Sequence, residues 1–384
     1  MKADKQIATL GGLNYLYYAT NGILLPYLPL YLAQRGYSSA EIGLLMMIGP
    51  FVAIFAQPLW GYLSDRFQTV KTFIFLLWAL AMLASFGLFG TGGFALTFIF
   101  MLLIYFFLLP SSPLLDTIMI KSTAGRGISY GSVRVWGSIG FTSVALISGP
   151  ILEKIGGVSK IPYLYWVIWI FPFILLIFLK DEKGTGQQIS LHMIGSILKN
   201  KSFLWFLFMI FLLMVPHRMN DVLLGLHLSD LGATDSMVSW AWALAAMSEI
   251  PVFALLGRYM NRYHELSLLG IASVLYAVRW GIYSLVTDPW PLMFLQATHS
   301  VTFAVFWIVS VQYVVRLLPE QFCSTGQSLL AMVFLGLAGI IGGTVGGWLN
   351  EGWGGVGMYV FALIMSAIAA VLFFGTHAYM RRQS

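Results

Sequence analysis

Six ionisable residues stand where the surrounding sequence is almost wholly apolar: Asp116, Asp221 and Glu249, against Arg134, Arg218 and Arg279. At the centre of a membrane helix each would cost roughly 2.5–3.5 kcal/mol on insertion scales, so the set needs pairing or water. Three acids facing three bases can pair with one another, hold a polar ligand or relay a proton. Spacing says which of them can meet. Asp116 and Arg134 lie nine residues either side of Gly125. Across a short loop joining antiparallel helices that rise about 1.5 Å per residue, the two reach the same depth and can pair. Arg279 and His299 are set the same way around Asp288-Pro289-Trp290-Pro291. His217 and Arg218 precede Asp221 by four and three residues, which puts all three on one helix face. Gln296, His299 and Thr302 form a stripe at i, i+3 and i+6, and Glu249 stands two residues before Pro251. Structural pairing would suffice for one such charge; acids and bases at matched depth in both halves point to a substrate or proton path.

Membrane helices are what must position these groups. Hydrophobic residues make up 59% of the 384 and charged residues only 9%, against roughly 25% charged in soluble domains. A crossing needs about 20 apolar residues, and twelve such spans are expected: 7–32, 40–62, 72–90, 94–115, 129–152, 161–180, 203–228, 237–257, 265–286, 290–315, 325–349 and 355–379. The lack of period-two alternation excludes a porin-like barrel. The first span follows Met1–Lys5 with no small-residue cleavage site, so it is expected to remain in the mature protein. One cysteine, Cys323, allows neither a disulfide framework nor a cysteine metal site. Fifteen of the 21 Lys and Arg fall on the side holding both termini. The positive-inside rule therefore predicts an inner-membrane protein with both termini cytoplasmic, and accounts for the net charge of +6 without nucleic acid.

The one long polar stretch divides the spans six and six. The expected organisation is an N-terminal bundle over 1–180, a cytoplasmic linker over 181–202 and a C-terminal bundle over 203–384. Within the linker Leu191, Ile194 and Leu198 suggest a short surface helix. A shift of 196 residues aligns Gly36-Tyr37-Ser38 with Gly232-Ala233-Thr234, Gly61…Asp65-Arg66 with Gly257…Asn261-Arg262, and Gly140 with Gly336. Such symmetry suits a transporter built of two parallel repeats with its site near the midplane. Gly61-Tyr62-Leu63-Ser64-Asp65-Arg66 resembles the signature loop of the major facilitator superfamily. The resemblance implies an all-α fold of twelve helices in two pseudo-symmetric bundles. It also implies that Gly61 permits close helix approach while Asp65 and Arg66 gate one face through charge contacts.

A narrower resemblance comes from Pro113-Leu114-Leu115-Asp116, Lys121 and Gly131-Ser132-Val133-Arg134-Val135-Trp136-Gly137-Ser138-Ile139-Gly140-Phe141. These look like the helix 4–5 hairpin of lactose permease and its relatives. Ser248-Glu249, Val278-Arg279-Trp280-Gly281 and Gln296-Ala297-Thr298-His299 are similar to that group's helices 8, 9 and 10. By position the resemblance implies substrate binding by Asp116 and Arg134, with Glu249 and His299 contacting substrate or linking it to the proton. It assigns Arg279 to assisting deprotonation and, with one gap allowed, aligns Asp221 with the helix 7 acid. Thr302 replaces the proton-carrying glutamate, Gln296 a lysine and Phe141 the sugar-stacking tryptophan. The Gln-x-x-His-x-x-Thr-Phe and Tyr-Gly-x-Val-Arg-x-Trp-Gly-Ser strings resemble the phenylpropionate-permease branch more closely.

The resulting expectation is proton-coupled uptake of a small organic solute, a sugar or nucleoside or an aromatic carboxylate. The partners expected are that solute, protons and membrane lipid, with no cofactor, and the two-half design works as a monomer. Because Thr302 cannot titrate, Glu249 is the first candidate for the proton carrier, with Arg279 approaching and withdrawing, followed by Asp116, Asp221 and His299. Gly149-Pro150 followed by Gly156-Gly157 is the one hint of a proton-driven exporter. An intramembrane enzyme is disfavoured by the absence of HExxH, GxSxG and P-loop motifs.

Overall fold

The computed structural model describes residues 2–123, 128, 130–181, 199–256, 263–319 and 323–383, and every regular element among them is helical. In hydrocarbon the backbone must satisfy its own hydrogen bonds, and a helix does so within one segment. In chain order the elements are α1 (Lys2–Gln34), α2 (Ser39–Arg66, with a turn at Met47), α3 (Lys71–Gly90), α4 (Phe94–Thr123, with a turn at Leu109 and Pro110), α5 (Tyr130–Ile155) and α6 (Ile161–Ile177). They continue with α7 (Lys201–Asp230), α8 (Asp235–Leu256), α9 (Glu265–Leu285), α10 (Pro289–Leu317), α11 (323–353) and α12 (355–383). Nine described stretches are long and apolar enough to cross a membrane. One of them, Gly326–Arg382, is broken at Gly354, where φ is 66°, and so holds the two crossings α11 and α12. Helices α1 and α8, of 33 and 22 residues, complete the twelve. The linker helix around Leu191, Ile194 and Leu198, the second loop copy Gly257–Arg262, and Gly125, Arg126 and Lys183 lie outside the described residues.

The chain divides into two compact units, and each takes a short segment from the other half of the sequence. The first comprises Met1–Tyr37, Ile48–Gln187 and Ala233–Ala243; the second comprises Ser38–Met47, Gln188–Gly232 and Leu244–Ser384. Symmetric contacts fix the borrowed segments. In the first unit Glu153 Oε1 accepts from the Ser236 N–H at 2.9 Å, in the first turn of α8. In the second, Glu351 Oε2 accepts from the Ala40 N–H at 3.0 Å, in the first turn of α2. Ala40 and Ser236 are separated by the 196-residue repeat, as are Gly36 and Gly232, which share a left-handed backbone with φ of 88° and 86°. Ser38 and Thr234, again one repeat apart, cap the two helices through the N–H groups of Glu41 and Met237 at 3.3 Å. These turns match because the same conformational requirement, a glycine turn and then a hydroxyl cap, recurs in both halves.

Close helix approach in the first unit depends on glycine elsewhere than at Gly61. A Cβ at Gly61 would meet open space, so the tight packing that the loop resemblance implied is not its role here. A Cβ at Gly140 would instead strike the Tyr15 carbonyl oxygen, so the missing side chain lets α5 lie directly on α1. Gly149 is similar: its Cβ would fall 2.5 Å from Ser236 Cα and 2.6 Å from the Asp235 oxygen. That close approach is what the glycine's missing side chain permits. Gly140→Val is expected to lower stability by about 1–3 kcal/mol, as overpacking does, and Gly61→Ala to leave it unchanged. Thermal unfolding followed by monodispersity in detergent measures both; equal midpoints for the two variants would contradict the packing argument.

Candidate functional site

Among the described residues each unit brings together one cluster of the polar side chains that lie within the apolar spans. In the first, Asp116 on α4 and Arg134 on α5 come together, with Arg134 Nε 3.6 Å from Asp116 Oδ1 and both side chains about 30% exposed (31% and 30%). This is the contact that the symmetric spacing about Gly125 predicted. The separation is long for a direct hydrogen bond, and other groups complete the geometry. Tyr130, one helical turn before Arg134, donates its hydroxyl to Asp116 Oδ1 at 2.9 Å. Tyr18 on α1 takes an Arg134 Nη2 hydrogen bond at 2.6 Å, and the guanidinium carbon lies 4.2 Å from the centre of the Tyr18 ring. Ser112 holds the Tyr18 hydroxyl at 2.8 Å. Buried Asn14 donates to the Arg134 carbonyl at 2.8 Å, and its own Oδ1 has no protein partner. A Cβ at Gly137 would sit 2.7 Å from the Tyr18 ring and 2.8 Å from Arg134 Nη1, so that glycine makes room for the guanidinium. Phe141 lies two turns beyond Arg134, its ring centre 6.5 Å from that of Trp242.

The second unit places residues from α7, α8, α9 and α10 together. Arg218 Nη1 meets Asp221 Oδ2 at 2.7 Å, and His217 Nε2 stands 3.7 Å from the same oxygen, as their shared face predicted. His217 is buried, takes part in a 3.1 Å hydrogen bond with the Tyr276 hydroxyl and stacks on Phe303 with ring planes 6° apart. His299, whose ring centre is 5.3 Å from that of His217, approaches Glu249 Oε1 through Nε2 at 2.9 Å. Side-chain exposures of 13% for His299 and 21% for Glu249 keep this pair partly accessible.

Arg279 takes a different partner from the one expected. It is 2% exposed and reaches Gln296 Oε1 at 2.7 Å and Thr302 Oγ1 at 3.3 Å, with its guanidinium carbon 4.9 Å from the Trp280 ring centre. Glu249 is held by His299 instead. Depth matching placed Arg279 level with His299 and so could not tell which neighbour on the stripe it would choose. Gln296 and Thr302 flank His299 by one turn each, and the helix is irregular there: 3-10 over Gln296–Thr298 and π over Ser300–Ala304. Single-turn π segments inside α-helices recur at functional sites because they redirect side chains. A second one, Met332–Leu337 in α11, carries Phe334, over which Arg218 lies at 5.6 Å.

The remaining expected group, Gly61, Asp65 and Arg66, closes α2. Ser64 donates to the Gly61 carbonyl at 2.8 Å and Gln68 to the Asp65 carbonyl at 2.8 Å, so backbone rather than carboxylate makes the contacts described for this stretch. The acid that organises the following loop is Asp181, which accepts from the N–H groups of Val70 and Lys71 at 3.0 and 2.8 Å and bonds the Thr69 hydroxyl. Sequence reasoning missed Asp181, Tyr18, Tyr130 and Tyr276. Only Tyr130 left a signal, four residues before Arg134 in a string already singled out. Among the described residues no group of His, Cys, Asp and Glu could hold a metal ion.

Twelve helices with paired charges inside each unit define a multi-pass membrane transporter of the major facilitator fold. The chain belongs to the MFS_1 like family, whose model matches residues 7–363. The maltose permease of Geobacillus stearothermophilus is 30% identical over 365 residues, covering 93% of this chain and 91% of the permease. A protein of Escherichia coli (strain K12) described as a probable 3-phenylpropionic acid transporter is 25% identical over 306 residues, covering 78% of this chain and 80% of its own. Among solved structures the nucleoside transporter NupG superposes with a TM-score of 0.85 at 19% identity, over 97% of this chain and 98% of that one. These relatives and neighbours are transporters, not enzymes.

Proposed function

We propose that the chain is a proton-coupled importer of a polyhydroxylated solute, a sugar or nucleoside, working by alternating access. The observation that carries this reading is the Glu249–His299 contact at 2.9 Å, partly accessible and flanked by permanently charged Arg218 and Arg279 that are engaged elsewhere. One proton bound or lost there changes the charge of a site in which Asp221 is matched by Arg218 and Arg279 rests on the neutral Gln296 and Thr302, which is what coupling requires. Substrate contact falls to Asp116, Arg134, Tyr18 and Tyr130, a set mixing donors, acceptors and an aromatic face as a hydroxyl-bearing ring demands. An aromatic carboxylate fits less well. Arg134 and Arg218 are engaged by Asp116 and Asp221, and Arg279 is almost wholly buried. Names of the maltose permease and of NupG agree with a sugar or nucleoside. Phe141 supplies apolar contact, and Gln296 orients Arg279. Asp221 and Arg279 supply charge beside the dyad, and Asp116 is a further proton-coupling candidate within its own cluster; Gly61, Asp65 and Arg66 belong to the cytoplasmic gate. The reading places the protein in the inner membrane with both termini cytoplasmic, working as a monomer without a cofactor. Its moving halves are 1–180 and 203–384, joined by 181–202.

A binding panel on purified protein tests the substrate class. Affinity for a disaccharide or a nucleoside, with none for phenylpropionate, is the expected result. Binding of phenylpropionate alone would overturn the assignment. Liposomes with an imposed pH gradient test the coupling: accumulation must follow the gradient and collapse when an ionophore removes it.

A further inference from the structure

A groove of about 700 Å³ in the second unit lies outside both polar clusters, at the start of α7 and the ends of α10 and α12. Its floor is apolar and buried, with Phe206 and Tyr313 at 0% and 4% exposure, while Trp205 and Tyr379 on its rim are 41% and 62% exposed. Trp205 Nε1 donates to Thr376 Oγ1 at 3.0 Å, tying α7 to α12 across the groove. Lys201 is the one charged residue among those lining it, and the exposed Arg381 and Arg382 follow directly on the lining residue Met380. Gly375 also lines the groove, and a Cβ there would meet nothing within 4 Å.

We propose that this groove is a binding site for an anionic phospholipid, with an acyl chain along Phe206 and the phosphate beside Lys201. The case rests on where chemistry changes along the groove. Exposed Trp and Tyr beside apolar side chains are the mark of the headgroup boundary, where an amphipathic ring satisfies both phases. Lys201, Arg381 and Arg382 make that boundary positive, and all three fall on the side that the Lys and Arg count assigns to the cytoplasm. Basic pockets between helices on that face select anionic headgroups over zwitterionic ones. The volume lies within the roughly 300–1,000 Å³ typical of ligand pockets, enough for part of one lipid and not a whole bilayer patch. A water-soluble ligand would leave the aromatic rim facing hydrocarbon without need. A lipid uses it.

Native mass spectrometry of the full chain, released from detergent after incubation with phosphatidylglycerol or phosphatidylcholine of identical chains, reads the site directly. Phosphatidylglycerol is expected to be retained about fivefold or more over phosphatidylcholine. Lys201→Gln, at an exposed helix start, is expected to remove most of that preference without changing the thermal midpoint in lipid-free detergent. Gly375→Trp fills the groove and is expected to reduce retention of both lipids, leaving substrate affinity as it was. Gly375→Leu serves the same purpose if the larger ring impairs folding. Equal retention of the two lipids by the unmodified chain overturns the proposal, as does undiminished retention in the folded groove-filling variant.

Discussion

Arg134→Ala is expected to abolish substrate binding while the protein still inserts and folds. The guanidinium forms a hydrogen bond with Tyr18, lies over that ring and stands beside Asp116, so its removal dismantles the first unit's cluster instead of trimming one contact. Charge-assisted hydrogen bonds are worth roughly 1.5–3 kcal/mol each, so losing two from the guanidinium to the substrate would lower affinity by about 100-fold or more. The fold survives because both members of the pair keep about 30% of their side-chain surface exposed (31% and 30%). The stranded Asp116 therefore costs well below the roughly 3–5 kcal/mol of breaking a fully buried pair. Arg134→Lys restores the charge without the planar fork, so it is expected to recover folding margin but little affinity. Calorimetric titration with the substrate found in the binding panel, beside thermal unfolding of each variant, separates the two effects. Affinity within threefold of the unmodified protein in the alanine variant would take Arg134 out of the site.

How much of this was readable without coordinates depends on the kind of restraint involved. The spans, their number and the Asp116–Arg134 contact follow from helical rise and apolar length, quantities that hold at every position. The same arithmetic brought Arg279 to the level of His299 and stopped there. It fixes depth along a helix, whereas the choice between Glu249 and the Gln296–Thr302 pair depends on rotation, and the 3-10 and π turns of α10 alter rotation locally. The tyrosines were hidden for another reason: in a chain with 18 of them, nothing in the sequence separates Tyr18 from those that merely pack. Glu153 and Glu351 show the limit most clearly. Both lie at helix ends, where acids are commonplace, and only the folded chain brings each to the backbone of a segment far off in sequence.

Glu249→Gln is expected to lose pH-gradient-driven accumulation while keeping exchange of labelled for unlabelled substrate, and His299→Gln to do the same. The two groups stand 2.9 Å apart, close enough that a single proton serves both, so removing either titrating partner removes the shared site. Exchange needs no net proton movement and survives as long as substrate contacts remain. The amide that replaces the carboxylate still reaches the imidazole, so the geometry around the stacked His217 and Phe303 is retained and the defect is one of charge. Arg279 sharpens the test. Buried on Gln296 and Thr302, it stands in this structure as a positive charge apart from Glu249. Replacing Gln296 by alanine then loosens that charge without removing it, and the expected result is a displaced pH profile of uptake with coupling retained. If Glu249 itself carried the proton with Arg279 as its switch, the Gln296 variant would uncouple as the Glu249 variant does, and His299→Gln would not. Accumulation retained in both dyad variants would instead move the proton to Asp116 or Asp221, whose amide variants then decide between them.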